Sequence, residues 1–255
     1  MRNLFSVEGK VALVTGGSRG IGEMIARGYV ENGAKVYVSS RKADVCDRVA
    51  EELSQYGTCI SLPFDLSNMA GIVGLAGALA ERESKLDILV NNAGATWGAP
   101  IDEYPEDGWD KTVDLNVKSI FFLTQKLLPQ LRAAATHEEP SRVINIASVN
   151  GIEPPSLETY AYSTSKAGCI MLTRHLAKRL APEHILVNAI APGPFQSHMM
   201  AATLAQAGDA IAKANPRGRI GTPEDIAGVA IFLASRASAY TTGTVVPCDG
   251  GSAEF

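Results

Sequence analysis

Tyr162 and Lys166 stand four residues apart in Tyr162-Ser163-Thr164-Ser165-Lys166. On a helix that spacing puts both side chains on one face. A phenol beside an ammonium suits the delivery of a proton to an oxygen on which negative charge develops, as on a ketone receiving hydride. A lone phenol holds its proton up to about pH 10, and a nearby cation favours the charged form. Ser148 offers a hydroxyl that can hold the same carbonyl oxygen. Taken singly, such a pair is an ordinary half-exposed helix face, and a serine after a strand is an ordinary turn. Tyr160 is a decoy, because four residues on from it stands Thr164.

A second chemical signal is Thr15-Gly16-Gly17-Ser18-Arg19-Gly20-Ile21-Gly22, between an apolar strand and a helix. Glycines at such a turn let the backbone approach a pyrophosphate, and the following helix N-terminus offers free N–H groups and a positive dipole end. The spacing is GxxxGxG rather than GxGxxG, so the position between strand and helix carries the argument. After the second strand come Ser39-Ser40-Arg41-Lys42, with no carboxylate before Asp44. An acidic residue there would accept from a free ribose 2′-hydroxyl and repel a 2′-phosphate. Arg41, together with Arg19 in the turn and the Ser40 hydroxyl, suits a phosphate instead. The expected cofactor is NADP(H).

These groups need a scaffold, and the apolar pattern supplies one. Strand-length runs at Lys10–Thr15, Ala34–Ser40, Thr58–Phe64, Leu86–Val90, Arg142–Ala147, Ile185–Ile190 and Thr244–Pro247 alternate with helical stretches. The helices are expected to run from the glycine turn to Glu31 (closed by Asn32-Gly33), over Ala43–Tyr56, over Ser67–Arg82 with Ser67 as cap, and over Trp109–Ala135. Further helices are expected over Thr159–Leu180, near 198–213 and near 223–235. Continuous apolar strands alternating with helices predict one α/β domain over 1–255. It is a doubly wound, Rossmann-type fold with a mostly parallel seven-stranded sheet and helices on both faces. Ser148 then falls at the carboxyl edge of the fifth strand, where such folds place ligands.

The 255 residues carry 23 basic and 27 acidic side chains, a net charge of −4, which gives no footprint for nucleic acid or an anionic membrane. No apolar run approaches a bilayer span, and the first residues lack a leader's apolar core, so a cytoplasmic location is expected. The four cysteines, Cys46, Cys59, Cys169 and Cys248, are scattered, which predicts reduced thiols. The four histidines (137, 175, 184, 198) lack ligand spacing, and no metal is expected.

Thr15–Gly22, Asn91-Asn92-Ala93-Gly94, Asn116, Ser148, Tyr162–Lys166 and Pro192-Gly193 together resemble the short-chain dehydrogenase/reductase family, in order and separation, over essentially the whole chain. Within it the chain looks most like bacterial NADPH-dependent 3-oxoacyl reductases of the rhamnolipid-associated branch. The resemblance implies a catalytic set of Asn116, Ser148, Tyr162 and Lys166, with Asn116 on a water-linked proton path and hydride leaving the nicotinamide B face. It implies cofactor contacts from Gly16, Ser18, Arg19, Gly20, Ile21, Gly22, Ser40, Arg41, Asp65, Leu66, Asn92, Ala93, Gly94, Tyr162, Lys166, Pro192 and Gly193. Asp65 would meet the adenine amino group, and Lys166 the ribose hydroxyls. Relatives pair through the helices near 105–135 and 159–180, so a homo-oligomer, tetramer or dimer, is expected.

A substrate loop is expected over 194–219, where Phe195, Met199 and Met200 suit an aliphatic ketone. Ile152, Pro154, Pro155, Leu157 and Trp97 offer further apolar wall, and His198 reads as a loop residue rather than a base. All of these suit loop packing equally well. One departure counts against an acyl-carrier-protein substrate: relatives that use one place arginines where this chain has Thr136–Pro140 and Ala181–His184, both carrying glutamates. A coenzyme A thioester, a free ketone or a sugar ketone stays open. So do two rival readings, an alcohol, polyol or sterol dehydrogenase working in the oxidising direction and a cofactor-binding regulator without turnover.

Overall fold

In β1, Val11–Thr15, successive side chains point to opposite sides of the backbone, and both sides are buried. Ala12 and Val14 join one apolar core with Ile25, Tyr29 and Val30 of α1 (Gly20–Glu31) and Ile226, Ala230 and Leu233 of α8 (Pro223–Ala234). Leu13 faces the other core, with Ile72, Leu75 and Leu79 of α3 (Met69–Ala80) and Leu123, Leu127 and Leu131 of α5 (Ser119–Ala134). This two-sided burial is why the strands read as unbroken apolar runs.

The computed structural model describes residues 3–197 and 199–253; His198 lies outside them. Its sheet has seven parallel strands in the order β3-β2-β1-β4-β5-β6-β7. Beside β1 they are β2 Lys35–Ser39, β3 Cys59–Ser61, β4 Ile88–Asn91, β5 Ser141–Ile146, β6 Ile185–Pro192 and β7 Val245–Cys248. The remaining helices are α2 Ala43–Leu53, α4 Glu106–Val113, α6 Tyr160–Leu180 and α7 Ala201–Ala214. Strand order reverses between β1 and β4, so the carboxyl ends of these two strands open a crevice.

The structure corrects several expected boundaries. The long helix expected over Trp109–Ala135 starts earlier and is helical throughout, but it carries a π-helical turn, Asp114–Lys118, between α4 and α5. The third strand shrinks to three residues. The cap of α3 is Asn68, whose Oδ1 accepts from Gly71 N at 2.9 Å, not Ser67; both are capping types, and the chain turns one residue later than expected. The expected close of α1 at Asn32-Gly33 holds, with Gly33 at φ +82°.

All four cysteines are free thiols. Among the described residues, no cluster of three or more histidine, cysteine or acidic side chains is placed to hold a metal. Nor is any helix among them long and apolar enough to cross a membrane. At the amino end of β5, Arg142 is buried, its guanidinium donating to the carbonyls of Pro140 and Ser235.

Candidate active site

The glycine-rich turn is locked to the end of β4. Thr15 Oγ1 accepts from Asn92 N and Ala93 N at 3.0 and 3.1 Å, and Asn92 Nδ2 donates to the carbonyls of Thr15 and Gly16. A Cβ on Gly22 would collide with Asn92 Nδ2 and Gly16 O. Gly16 itself has φ +62°, which a side chain would strain. The glycines therefore let the turn pack directly on the Asn92 side chain, which fixes the backbone that leads into the start of α1. Ser18 is buried in the turn, Ile21 packs on the core, and Arg19 stands exposed at the N-cap of α1. At the end of β2, Ser40 is half-buried and Arg41 exposed, and neither Arg19 nor Arg41 has an ion-pair partner among the described residues. Asp65 Oδ1 accepts from Ser67 N at 3.0 Å, holding the turn after β3. Leu66 buries its side chain in the core with Ile72 and Leu75.

The proposed chemistry gathers at the carboxyl ends of β4 and β5. Tyr162 and Lys166 lie on one face of α6, with Lys166 Nζ 5.6 Å from the Tyr162 ring centroid. Lys166 is buried and donates to Ile146 O at 2.7 Å, and no carboxylate pairs with it among the described residues. An ammonium buried on a single carbonyl is costly, and two of its three N–H donors stay available for further partners.

Asn116 is fully buried in the π-helical turn. Its amide bridges the backbone of Ala95, accepting from Ala95 N at 2.8 Å and donating to Ala95 O at 2.9 Å, and it also donates to Ser165 Oγ. Ser165 Oγ in turn donates to Tyr162 O at 2.7 Å. The extra residue of a π turn re-aims one side chain, here the asparagine, into the gap between the β4 loop and α6. A methyl on Gly94 would stand 3.1 Å from Asn116 Oδ1 and 3.8 Å from Lys166 Nζ, so three separate motifs converge within one side chain's width. Ser148 is buried at the end of β5, its Oγ accepting from Asn150 N at 3.1 Å. The short turn it opens, Val149–Gly151, packs on α6 beside Lys166 and Ala167. Tyr160 points elsewhere, its hydroxyl donating to Glu158.

Other expected residues fall differently. Phe195 is 2 % exposed and belongs to the core under α8, so it supports the loop from beneath and forms no substrate wall. Ile152 likewise packs on Cys169 and Ile170. Trp97, Leu157 and Met199 remain exposed. Pro192 ends β6, paired with Cys248. Ser197, which sequence reasoning missed, lies over the glycine turn: its Cβ is 3.1 Å from where a Gly20 Cβ would stand. A hydroxyl residue soon after Pro192-Gly193 was the available signal.

The two glutamate-bearing segments are less repulsive than the sequence implies. Lys10 and Arg236 hold Glu139 at 3.2 and 3.3 Å, while Arg132 and Arg179 hold Glu183 and keep its carboxyl below the usual range. Glu139 and Glu183 are each matched by two cations, while Glu138 is exposed with no ion-pair partner among the described residues, so the expected like-charge barrier to an acidic partner is reduced but not removed.

A family model described as enoyl-(acyl carrier protein) reductase matches residues 16–253. A rhamnolipids biosynthesis 3-oxoacyl-[acyl-carrier-protein] reductase from Pseudomonas aeruginosa is 52% identical over 253 residues, covering 98% of this chain and 99% of the relative. The 3-oxoacyl-[acyl-carrier-protein] reductase FabG of Chlamydia pneumoniae is 35% identical over 244 residues, covering 95% and 96%. Among solved structures, the Pseudomonas aeruginosa RhlG/NADP active-site complex superposes with a TM-score of 0.95 at 51% identity, covering 99% of each chain.

Proposed function

The chain belongs to the short-chain dehydrogenase/reductase family, and from that premise we propose that it is an NADPH-dependent reductase of 3-oxoacyl thioesters. The observation that carries this reading is the buried Lys166 ammonium, set against the Tyr162 ring and within reach of Gly94 and Asn116. The residues present fit the cofactor. The interlock of Gly16, Gly22 and Asn92 holds the turn before α1 in a fixed shape with the helix N-terminus behind it, and Arg19 and Arg41 are free to fork onto a 2′-phosphate. When bound, NADPH supplies the hydride.

The chain's own residues handle the oxygen and the proton. Ser148 Oγ and Tyr162 Oη donate to the ketone oxygen and fix the carbonyl for attack. As charge builds on that oxygen, Tyr162 Oη gives up its proton to it. Lys166, buried against the same ring, stabilises the negative charge left on the phenol. Asn116 holds the Ala95 backbone and Ser165, and so keeps the β4 loop and α6 in register around this ammonium.

The apolar, exposed Met199 and Leu157 at the mouth suit an acyl chain, and the flap over 194–219 is assigned to substrate binding. The 3-oxoacyl activity of the relatives at 52% and 35% identity supports the substrate class. The chain works as a homo-oligomer through the outer faces of α5 and α6, where Phe121 and Met171 are exposed. The test is Tyr162→Phe with a 3-oxoacyl coenzyme A thioester. NADPH oxidation should fall about a thousandfold while NADPH binding is kept. Turnover at the wild-type rate would overturn the assignment, and oxidation of alcohols or polyols with no thioester reduction would move it to a dehydrogenase.

A further inference from the structure

The excursion between β6 and α8 leaves the sheet at Gly193, and its two stems meet over the C-terminal turn. On the outgoing stem, Gly193 N donates to Cys248 O at 3.0 Å, and a Cβ at Gly193 would stand 2.8 Å from Asp249 Cα. On the returning stem, Asn215 Nδ2 donates to Asp249 O at 2.7 Å, while its Oδ1 accepts from Arg217 N at 2.9 Å. Asn215 is 5 % exposed. The turn beneath is rigid: the Asp249 carboxylate accepts from Gly251 N, Ala253 N and the Ser252 hydroxyl. Gly250, at φ +69°, lies so close that a Cβ there would collide with Asn215 Oδ1. A further tie joins the stems directly, with Gly221 N donating to Pro194 O at 2.9 Å.

Beyond Phe195, which anchors the outgoing stem in the core, and Ser197, which lies against the glycine turn, the described chain runs out into α7. No described residue of α7 is buried, and the helix breaks at Ala207, φ −136°. A segment fixed at both feet and free between them moves about those feet. Most of the ties use backbone groups, which any sequence supplies, but ahead of Gly221 the returning stem is seated on the C-terminal turn by one side chain, Asn215. Its amide must donate to one carbonyl and accept from one N–H; an aspartate lacks the donor, and an aliphatic residue lacks both.

We propose that Asn215, seated on the Asp249-Gly250-Gly251 turn, is a positioning residue for ketone reduction. It holds the return foot of the flap beside the outgoing foot, and so sets how well the flap orders over bound substrate. The inference rests on the functional reading above for the flap's part in substrate binding, but the clamp itself can be measured without turnover.

The test compares the full-length wild type with Asn215→Asp, which keeps the acceptor and loses the donor, and with Asn215→Ala. The aspartate sets a carboxylate against the Asp249 carbonyl, so the alanine, which buries no charge, guards against a variant that fails to fold. KM for a 3-oxoacyl coenzyme A thioester should rise about tenfold with kcat held within about threefold. NADPH affinity should stay within about twofold, because the glycine turn is held by Thr15 and Asn92 rather than by Asn215. Tryptic cleavage after Lys213 and Arg217, both exposed in the return stem, should accelerate about tenfold at an unchanged melting temperature. Wild-type KM and cleavage rates in Asn215→Asp overturn the proposal. So does a joint loss of NADPH affinity, substrate affinity and melting temperature, which marks a merely structural role. If the wild type reduces no thioester, the functional reading has failed, and the cleavage rates alone still decide the clamp.

Discussion

The dinucleotide cradle and the substrate flap are built by opposite means. In the cradle, Gly16, Gly22 and Asn92 interlock so closely that a methyl has no room, and α1 beneath them buries Ile25, Ala26, Tyr29 and Val30 completely or almost so. In the flap, α7 buries none of its described residues and carries a break at Ala207. The packed region is preorganised. The other, on the function proposed above, would admit and release a substrate, and low local stability is the physical condition for that.

The widest gap between the two regions should appear in stability. Ile25 is 0 % exposed, so Ile25→Ala should cost about 2–5 kcal/mol, as truncations in a close-packed core do. Leu204, half-exposed on α7, should change stability by no more than about 0.5 kcal/mol when cut to alanine. Chemical denaturation of both variants checks this. Equal losses would mean that α7 is part of the cooperative core and the contrast is wrong.

The same contrast governs what was legible in the sequence. Where the backbone must come close or turn sharply, residue type is nearly forced: Gly16, Gly22 and Gly33 could be read without coordinates, as could the two-sided strands β1, β4 and β6. Tyr162 and Lys166 were legible because helical spacing fixes which side chains share a face. The π turn at Asp114–Lys118 was not, since one extra residue leaves the apolar pattern of a helix almost intact, and yet it is what turns Asn116 inward. Phe195 stayed open between wall and packing because an aromatic in a loop has no periodicity to say whether it faces ligand or core, and it faces the core. The Asn215 tie joins residues far apart in the chain, so no local pattern announces it.

A smaller effect sharpens the cradle's side of the comparison. Arg41 stands exposed after β2 without an ion-pair partner, so its removal should leave folding intact and act on the phosphate alone. In Arg41→Ala, NADPH should bind about tenfold to a hundredfold more weakly, with NADH affinity unchanged. Binding titrations with both nucleotides read the difference directly. Parallel losses for the two nucleotides would show that Arg41 shapes the cradle rather than the 2′-phosphate preference.

The thiols give the finest probe, because they fall in both regions. Cys46 and Cys59 are buried under the cradle, and burial pushes the Cys59 thiol up to about 12. Cys248 lies at the foot of the flap, half-buried, its thiol pushed up to about 11 mainly by burial, with Asp225 and Asp249 adding to the shift. The thiolate is the reactive form, so at pH 8 only about 0.1% of Cys248 is ready to react. That fraction grows about tenfold with each pH unit until pH approaches 11. Alkylation of the native protein, followed by mass spectrometry, should therefore reach Cys248 first and speed up about a hundredfold between pH 8 and pH 10. Cys46 should stay unmodified until denaturant opens the sheet, because reaching it requires global rather than local unfolding. If Cys46 is alkylated as fast as Cys248 in the native protein, the cradle opens as readily as the flap's foot, and the division of the molecule into a preorganised half and a hinged half fails.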